Sequence, residues 1–100
     1  MNFEKLPLHD ALLDRIEIDW DNALVRLDFQ AFIEVSEPAL PYHLLFRVVT
    51  DFRCSRENEW GPSNSILEAK AVDDEYHIKM QSGDSIFIKA SGYEFQQSGI

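Results

Sequence analysis

Apolar and polar residues alternate along most of this chain, and this alternation limits the folds that it can adopt. Ile16, Ile18 and Trp20 alternate with charged residues, and a second alternating run extends from residue 25 to residue 33. Successive side chains of a strand point to opposite faces, whereas a helix repeats its apolar positions every three or four residues. The pattern therefore predicts strands over most of the chain.

The first two strands are predicted to form a hairpin around Asp21-Asn22, two residues that tolerate the backbone of a type I′ turn. A two-residue loop there places apolar pairs on one face and opposite charges on the other. These pairs are Ile18 with Val25, Ile16 with Leu27, Glu17 with Arg26, and Arg15 with Asp28. Opposite charges directly across two strands contribute about 0.2–1 kcal/mol, which favours this register over its alternatives.

A second meander is predicted near the end of the chain, with a turn at Asp73-Asp74 and a three-residue turn at 81–83 that ends in glycine. A short last strand is predicted at Tyr93 and Phe95. The expected apolar pairs are Ala71 with Tyr76, Ala69 with Ile78, Leu67 with Met80, Ile78 with Ile86, and Tyr76 with Ile88.

The middle of the chain is predicted to hold one central strand over 42–52, because that segment is apolar on both faces. A polar segment over 53–65 follows. One short N-terminal helix is predicted over 10–14, with Asp10 as its N-cap. The sequence thus predicts a nearly all-β single domain over 1–100, with six or seven antiparallel strands curved into a sandwich or half-barrel.

The charge of the chain is strongly negative, with 18 acids against nine bases and a formal net charge of −9. The first forty residues hold nine of the acids and three of the bases. Such a field repels phosphate backbones and anionic membranes, so it argues against nucleic-acid and membrane partners and favours cationic partners, either metal ions or a basic protein surface. The apolar-poor start and the single cysteine, Cys54, predict a cytoplasmic protein without disulfides.

One histidine and several carboxylates cluster in residues 7–29. On the predicted helix Asp10 and Asp14 would share a face, and His9 could add a nitrogen ligand for a divalent ion. The alternative is that Asp10 caps the helix and His9 makes a turn contact. We treat the metal site of a small hydrolase or ligand-binding domain as the second hypothesis, and expect no other cofactor.

Three exposed carboxylates, Glu17, Asp19 and Asp28, are predicted to lie on the solvated face of the first hairpin. Acid–base catalysis needs two carboxyls in different environments, and this face offers one environment. We therefore interpret these acids as a surface for a basic partner. Cys54 lacks the ordered base and oxyanion loop that a nucleophile needs, and is interpreted as structural.

The polar segment over 53–65 is the other predicted partner-binding site. It holds Trp60, Arg53 and Arg56, and tryptophan and arginine are enriched at interface hot spots. The alternative is that Trp60 beside Gly61-Pro62 packs under its own loop. A segment of this length in a compact domain is functional or is held by its own packing.

The stretch LHDALLDRIEIDW, followed by a second alternating strand, resembles a group of small bacterial proteins that open with an LHDA-like turn and an I-x-I-D-W strand. The resemblance covers residues 8–29. Some of those proteins are described as immunity-protein-like, so the resemblance implies a small bacterial β-domain with an immunity-like role. It implies no catalytic residue.

The sequence as a whole favours a protein-interaction module over an enzyme. The expected partner is a basic protein, met by the acidic surface of the first forty residues. Homodimerisation through a sheet edge or through the 42–52 strand is a third, compatible hypothesis.

Overall fold

The computed structural model describes residues 2–98, whose regular secondary structure consists of antiparallel strands and one 3₁₀ turn. A 3₁₀ turn, Phe3–Lys5, precedes eight strands: β1 (Leu12–Asp19), β2 (Leu24–Ala31), β3 (Leu40–Arg47), β4 (Asp51–Cys54), β5 (Ile66–Val72), β6 (Glu75–Met80), β7 (Ser85–Lys89) and β8 (Gly92–Gln97). They form two four-stranded sheets, with the orders β1-β2-β3-β8 and β4-β7-β6-β5. The predicted all-β antiparallel fold is confirmed, with eight strands in residues 2–98 where six or seven were predicted.

One two-stranded ribbon runs through both sheets and bends between them. β3 pairs with β8 in the first sheet, and β4 pairs with β7 in the second. At the bend Ser91 N donates to the Arg47 carbonyl, and Thr50 N donates to the Lys89 carbonyl, each at 2.9 Å. Strands that switch sheets at a bend form the corner of a sandwich. The two sheets are therefore joined at this corner.

The sheets enclose one hydrophobic core, because alternate residues of their strands point inward. Leu27 and Phe29 face it from the first sheet, and Ile78 and Ile88 face it from the second; all four are 1% exposed or less. Phe3 adds an aromatic side chain from the N-terminal turn. Burial of each large apolar side chain contributes about 1.5–3 kcal/mol. No helix in residues 2–98 is long and apolar enough to cross a membrane.

The register of the first hairpin is the predicted one, with all four predicted pairs opposite each other. The predicted type I′ turn is wrong, because the positive φ of 55° falls on Ala23 and not on Asp21 or Asn22. The Ala23 carbonyl accepts a hydrogen bond from Val49 N at 2.9 Å. This contact with the β3–β4 bend holds the backbone of Ala23. The turn therefore does not adopt the type I′ conformation that Asp21-Asn22 favour locally.

The second meander follows the prediction except at one pair. Gly83 has the expected positive φ, 92°, and four of the five predicted apolar pairs are present. Met80 lies opposite Ile66, and not opposite Leu67 as predicted, because a register shift interrupts β5 between Ile66 and Glu68. The Leu67 carbonyl at the shift accepts a hydrogen bond from His9 Nδ1 at 2.7 Å.

The short helix predicted over 10–14 is wrong. Asp10 has a φ of 67°, in the left-handed region, whereas a helix N-cap has extended backbone angles. Asp10 N donates to the Ile66 carbonyl, and Ile66 N donates to the Ala11 carbonyl. The segment therefore pairs with the start of β5, and β1 begins at Leu12.

The single strand predicted over 42–52 is also wrong, since the chain leaves one sheet at 48 and enters the other at 51. Leu44 and Phe46 are buried on the inner face of the first sheet, and Phe52 packs against the core from the second. Val48, at the bend, is exposed and has a φ of 53°. The apolar residues on both faces reflect a change of sheet and not a doubly covered strand.

Candidate functional site

An opening runs between β1 and β4, which are outer strands of their two sheets. Two hollows lie along it, with volumes of about 650 Å³ and 350 Å³. Residues 13–16 and 54–56 line the larger hollow, and residues 18–20 and 49–52 line the smaller one. We name these two hollows and their walls the edge groove.

The side of β1 that faces the edge groove has little backbone pairing. Leu13 N donates to the Asn64 carbonyl at 2.8 Å, and Leu12 forms an isolated bridge with Ser65. From Asp14 to Asp19, no strand of the described chain pairs with this edge. Since β2 occupies only one side of β1, alternate N–H and C=O groups of this stretch lack a strand partner.

Two large apolar side chains are exposed at the same edge. Ile18 and Trp20 continue the inward row that Ile16 begins, yet Ile18 is 53% exposed and Trp20 is 88% exposed. Both line the smaller hollow of the edge groove. Contiguous exposed apolar side chains with a polar rim are typical of interaction sites. Sequence reasoning placed these residues on the inner face and therefore missed their exposure, which depends on how the two sheets meet.

The predicted acidic surface lies beside the edge groove. Glu17 pairs with Arg15 along β1, and Arg26 Nε donates to Asp28 Oδ1 at 2.8 Å along β2. These ion pairs run along each strand, although Glu17 lies opposite Arg26 in the register. Two of the three predicted carboxylates are thus compensated by a neighbouring cation.

Two of the three remaining acids of this hairpin, Asp19 and Asp14, accept hydrogen bonds from neutral amides. Asp19 Oδ2 accepts a hydrogen bond from Asn22 Nδ2 at 2.9 Å, and Asp14 Oδ2 accepts one from Gln30 Nε2 at 2.9 Å. An amide stabilises a carboxylate without cancelling its charge. Residues 12–31 contain five acids and two bases, so the rim of the edge groove is negative.

The three residues of the metal hypothesis are not assembled into a site. His9 Nε2 lies 3.5 Å from Asp10 Oδ2, and Asp10 Oδ1 accepts a hydrogen bond from Gln81 Nε2 at 2.7 Å. Asp14 belongs to β1 and is held by Gln30. Within residues 2–98 no three His, Cys, Asp or Glu side chains are grouped so that they could hold a metal ion.

The three residues predicted in the 53–65 segment lie in different settings. Arg53 pairs with Asp51 at 3.3 Å and stacks over the Phe87 ring at 4.3 Å, on the outer face of the second sheet. Arg56 lines the larger hollow of the edge groove. Trp60 is 59% exposed and packs against Gly83. Of the three, Arg56 contributes to the edge groove.

A buried carboxylate holds the segment over 55–64 in place. Asp84 is 5% exposed and accepts hydrogen bonds from Glu57 N at 2.6 Å and Asn58 N at 3.1 Å. The Ser55 and Ser82 hydroxyls also donate to it. These four donors, led by Glu57 N, lower the pKa of Asp84 to about 2. The segment is anchored by an acid that directly follows the predicted turn at 81–83 and was not predicted as a site residue.

Cys54 lies on the β4 wall of the edge groove and is exposed. Its thiol donates to the Ser55 carbonyl at 3.4 Å, and within the described part of the chain no histidine hydrogen-bonds to it. Burial, followed by the charge of Asp84, raises the pKa of this thiol. A raised pKa disfavours the thiolate, which is the nucleophilic form. Neither the contacts nor the pKa of Cys54 supports a role as a nucleophile.

Comparison with known proteins extends the fold assignment. The chain is similar to the crystal structure of an uncharacterized protein from Neisseria gonorrhoeae, with a TM-score of 0.57 and 16% sequence identity over 90% of this chain and 93% of that one. At this identity the likeness concerns the fold alone. No family model and no curated protein matches the chain.

Proposed function

We propose that this protein is a cytoplasmic protein-interaction module, immunity-like in type, that binds a basic protein partner at the acidic rim of the edge groove. One observation carries the proposal: Trp20, the more exposed of the two tryptophans, directly follows the unpaired edge of β1 and lies between Asp19 and Asp21 in the chain. Tryptophan supplies a large contact area at interfaces, and burial of its ring by a partner would favour binding.

The charges along β1 and in the turn after it define the kind of partner. In the described part of the chain no cation pairs with Asp14 or Asp19, whose side-chain partners are neutral amides, and Asp21 adds a third acid in the adjacent turn. Complementary charge on a partner raises the rate of association and selects against acidic proteins. A basic surface with an apolar centre is the complement of this region.

The experiment compares two double variants with the same change in net charge. Glu17→Lys with Asp19→Lys reverses the rim, whereas Glu59→Lys with Glu68→Lys reverses two exposed acids that have no ion pair in the described structure. We expect proteins retained from a bacterial lysate on the immobilised wild-type protein to be lost on the rim variant and kept on the control. Quantitative mass spectrometry measures the difference.

Salt gives a second arm of the same experiment. At 1 M salt the screening length is about 3 Å, so retention through the acidic rim should fall sharply. Retention that is equal on all three proteins and unchanged by salt would contradict the proposal. Sedimentation velocity of the wild-type protein distinguishes a homodimer from a hetero-partner.

A further inference from the structure

The edge groove has two unpaired strand edges, one on each side. β1 and β4 each end their sheet, and the two hollows separate them. On the basis of the proposed function, we propose that an extended segment of the basic partner adds to β1 as a further strand, with alternate apolar side chains in the edge groove and alternate basic side chains outside it. Strand addition to a free sheet edge is a common mode of peptide recognition.

The backbone of β1 provides the hydrogen bonds for such a segment. The unpaired stretch from Asp14 to Asp19 would span roughly 20 Å as an extended strand, enough for a segment of about six residues. Within the described residues, another segment of this chain pairs with this edge of β1 only at Leu12 and Leu13. An added strand therefore has a defined starting point, next to Asn64 and Ser65.

The two faces of β1 determine which pattern of side chains a bound segment needs. On the inner side, the hollows are lined by apolar residues of both sheets: Ile16, Ile18, Phe52, Met80 and Ile86. On the outer side, the neighbours across the new strand pair would be Glu17, Asp19 and Arg15, and Arg15 already pairs with Glu17. Cross-strand neighbours of opposite charge stabilise a sheet. The complement is a segment in which apolar and basic residues alternate.

The same charges argue against a second copy of this chain as the occupant. If two β1 strands paired edge to edge, two stretches of net negative charge would meet, since residues 14–19 hold three acids and one base, Arg15. Like charges placed opposite each other destabilise a strand pair. A basic segment from another protein has no such penalty.

The test uses a synthetic peptide of about twelve residues in which lysine alternates with valine. A first control peptide has the same composition with its lysines and valines in two separate blocks. A second control keeps the alternating sequence but carries N-methyl groups on the amides that would face β1. This second peptide retains charge and side chains and loses the backbone donors.

Two readouts follow the edge groove in the full chain. Amide hydrogen exchange over residues 14–19 reports backbone pairing of β1. Alkylation of Cys54, the single cysteine of the chain, reports access to the opposite wall. With the alternating peptide at about ten times its dissociation constant, roughly a tenth of the protein stays free, so both rates should fall about tenfold.

The outcomes separate the binding mode from the proposed function. Protection by the alternating peptide, with little or none from either control, supports strand addition. Equal protection by the N-methylated peptide overturns it, although charge-based binding would remain. No protection by any peptide also overturns it, and the proposed function then depends on the lysate experiment with the rim variant alone.

Discussion

Two regions of this protein hold acidic side chains, and the fold treats them in opposite ways. Asp84 is buried and receives four hydrogen bonds from the segment over 55–64 and its own turn. On β1, Asp14 is exposed and accepts one hydrogen bond from the Gln30 amide, and Asp19 is half-buried and accepts two from the backbone and side chain of Asn22. The first arrangement organises the fold, and the second leaves charge facing solvent.

The difference shows how to separate structural from functional acids in a chain that is rich in both. A buried charge must be satisfied by fixed donors, and those donors then become fixed themselves. An exposed charge beside an unpaired strand edge imposes no such order on the fold. Loss of Asp84 should therefore affect stability, whereas loss of the β1 acids should affect binding.

The largest effect is expected from Asp84→Ala. Removal of the carboxylate leaves Glu57 N, Asn58 N and two hydroxyls without their acceptor, and a buried donor without a partner is costly. We expect the melting temperature to fall by roughly 10 °C in a circular dichroism melt. Asp84→Asn, which keeps an acceptor oxygen, should lose less. A melt within about 2 °C of the wild type for Asp84→Ala would show that the segment holds without its anchor.

The dependence of stability on pH tests the same hydrogen bonds of Asp84 without truncating its side chain. Asp84 has a pKa of about 2 in the fold, against an ordinary value of 3.8. Above the ordinary value the carboxylate is charged in both states, and its stabilising contribution is complete. As the pH falls from 3.8 towards 2, the unfolded chain takes up the proton first, and the contribution is lost.

Urea unfolding at a series of pH values between about 5 and 2 measures this loss. The midpoint of the wild type should drop more steeply in this range than that of Asp84→Asn, which cannot titrate. Parallel slopes for the two proteins would mean that other groups cause the acid sensitivity.

A moderate loss of stability is expected from Gly83→Ala, in the turn next to Asp84. Gly83 has a φ of 92°, and a Cβ there would lie 3.0 Å from Cδ2 of the Trp60 ring. The unfavourable backbone angle and the contact together should lower the free energy of unfolding by about 1–3 kcal/mol. Chemical denaturation measures the change.

Trp60→Ala supplies the control through a double-mutant cycle. If the contact with the Trp60 ring contributes to the loss of stability, Gly83→Ala should lower the free energy of unfolding by less in the Trp60→Ala background. The loss that remains there is due to the backbone angle. An equal cost in both backgrounds would assign the whole effect to the backbone angle.

The sequence predicted the strands and most of their registers because alternation and cross-strand charge pairs are local signals. The first hairpin illustrates this, since every predicted pair is present. The turn within it could not be predicted in the same way. Its backbone is set by the hydrogen bond between the Ala23 carbonyl and Val49 N, which joins residues far apart in the chain.

The site was less accessible to sequence reasoning than the fold. The acids Glu17 and Asp19 were identified from charge alone, but the edge groove depends on the bend at 48–50 and on which strands end each sheet. Alternation marks Trp20 as inward-facing and gives no sign that the sheets part beside it. Likewise, Asp84 resembles a turn residue until its donors from 57 and 58 are known.

The smallest change in stability is expected from Trp20→Ala, although it removes the largest kind of side chain. Trp20 is 88% exposed, so its loss takes away little buried area, and the free energy of unfolding should change by less than about 0.5 kcal/mol. Chemical denaturation measures this change. The same truncation at a core aromatic, Phe46→Ala, should cost about 3–5 kcal/mol.

Trp20→Ala is expected to have a large effect on partner binding, although its effect on stability is small. If the exposed ring is the apolar centre of the interface, Trp20→Ala should lose most of the protein retained from a lysate while its unfolding curve stays in place. Trp60→Ala is the matched control, since Trp60 is also exposed but packs against Gly83 away from the β1 edge. If the Trp20→Ala protein is as stable as the wild type and retains the same partners, the Trp20 ring is not the apolar centre of the interface. That result would remove the main reason to place binding at the edge groove.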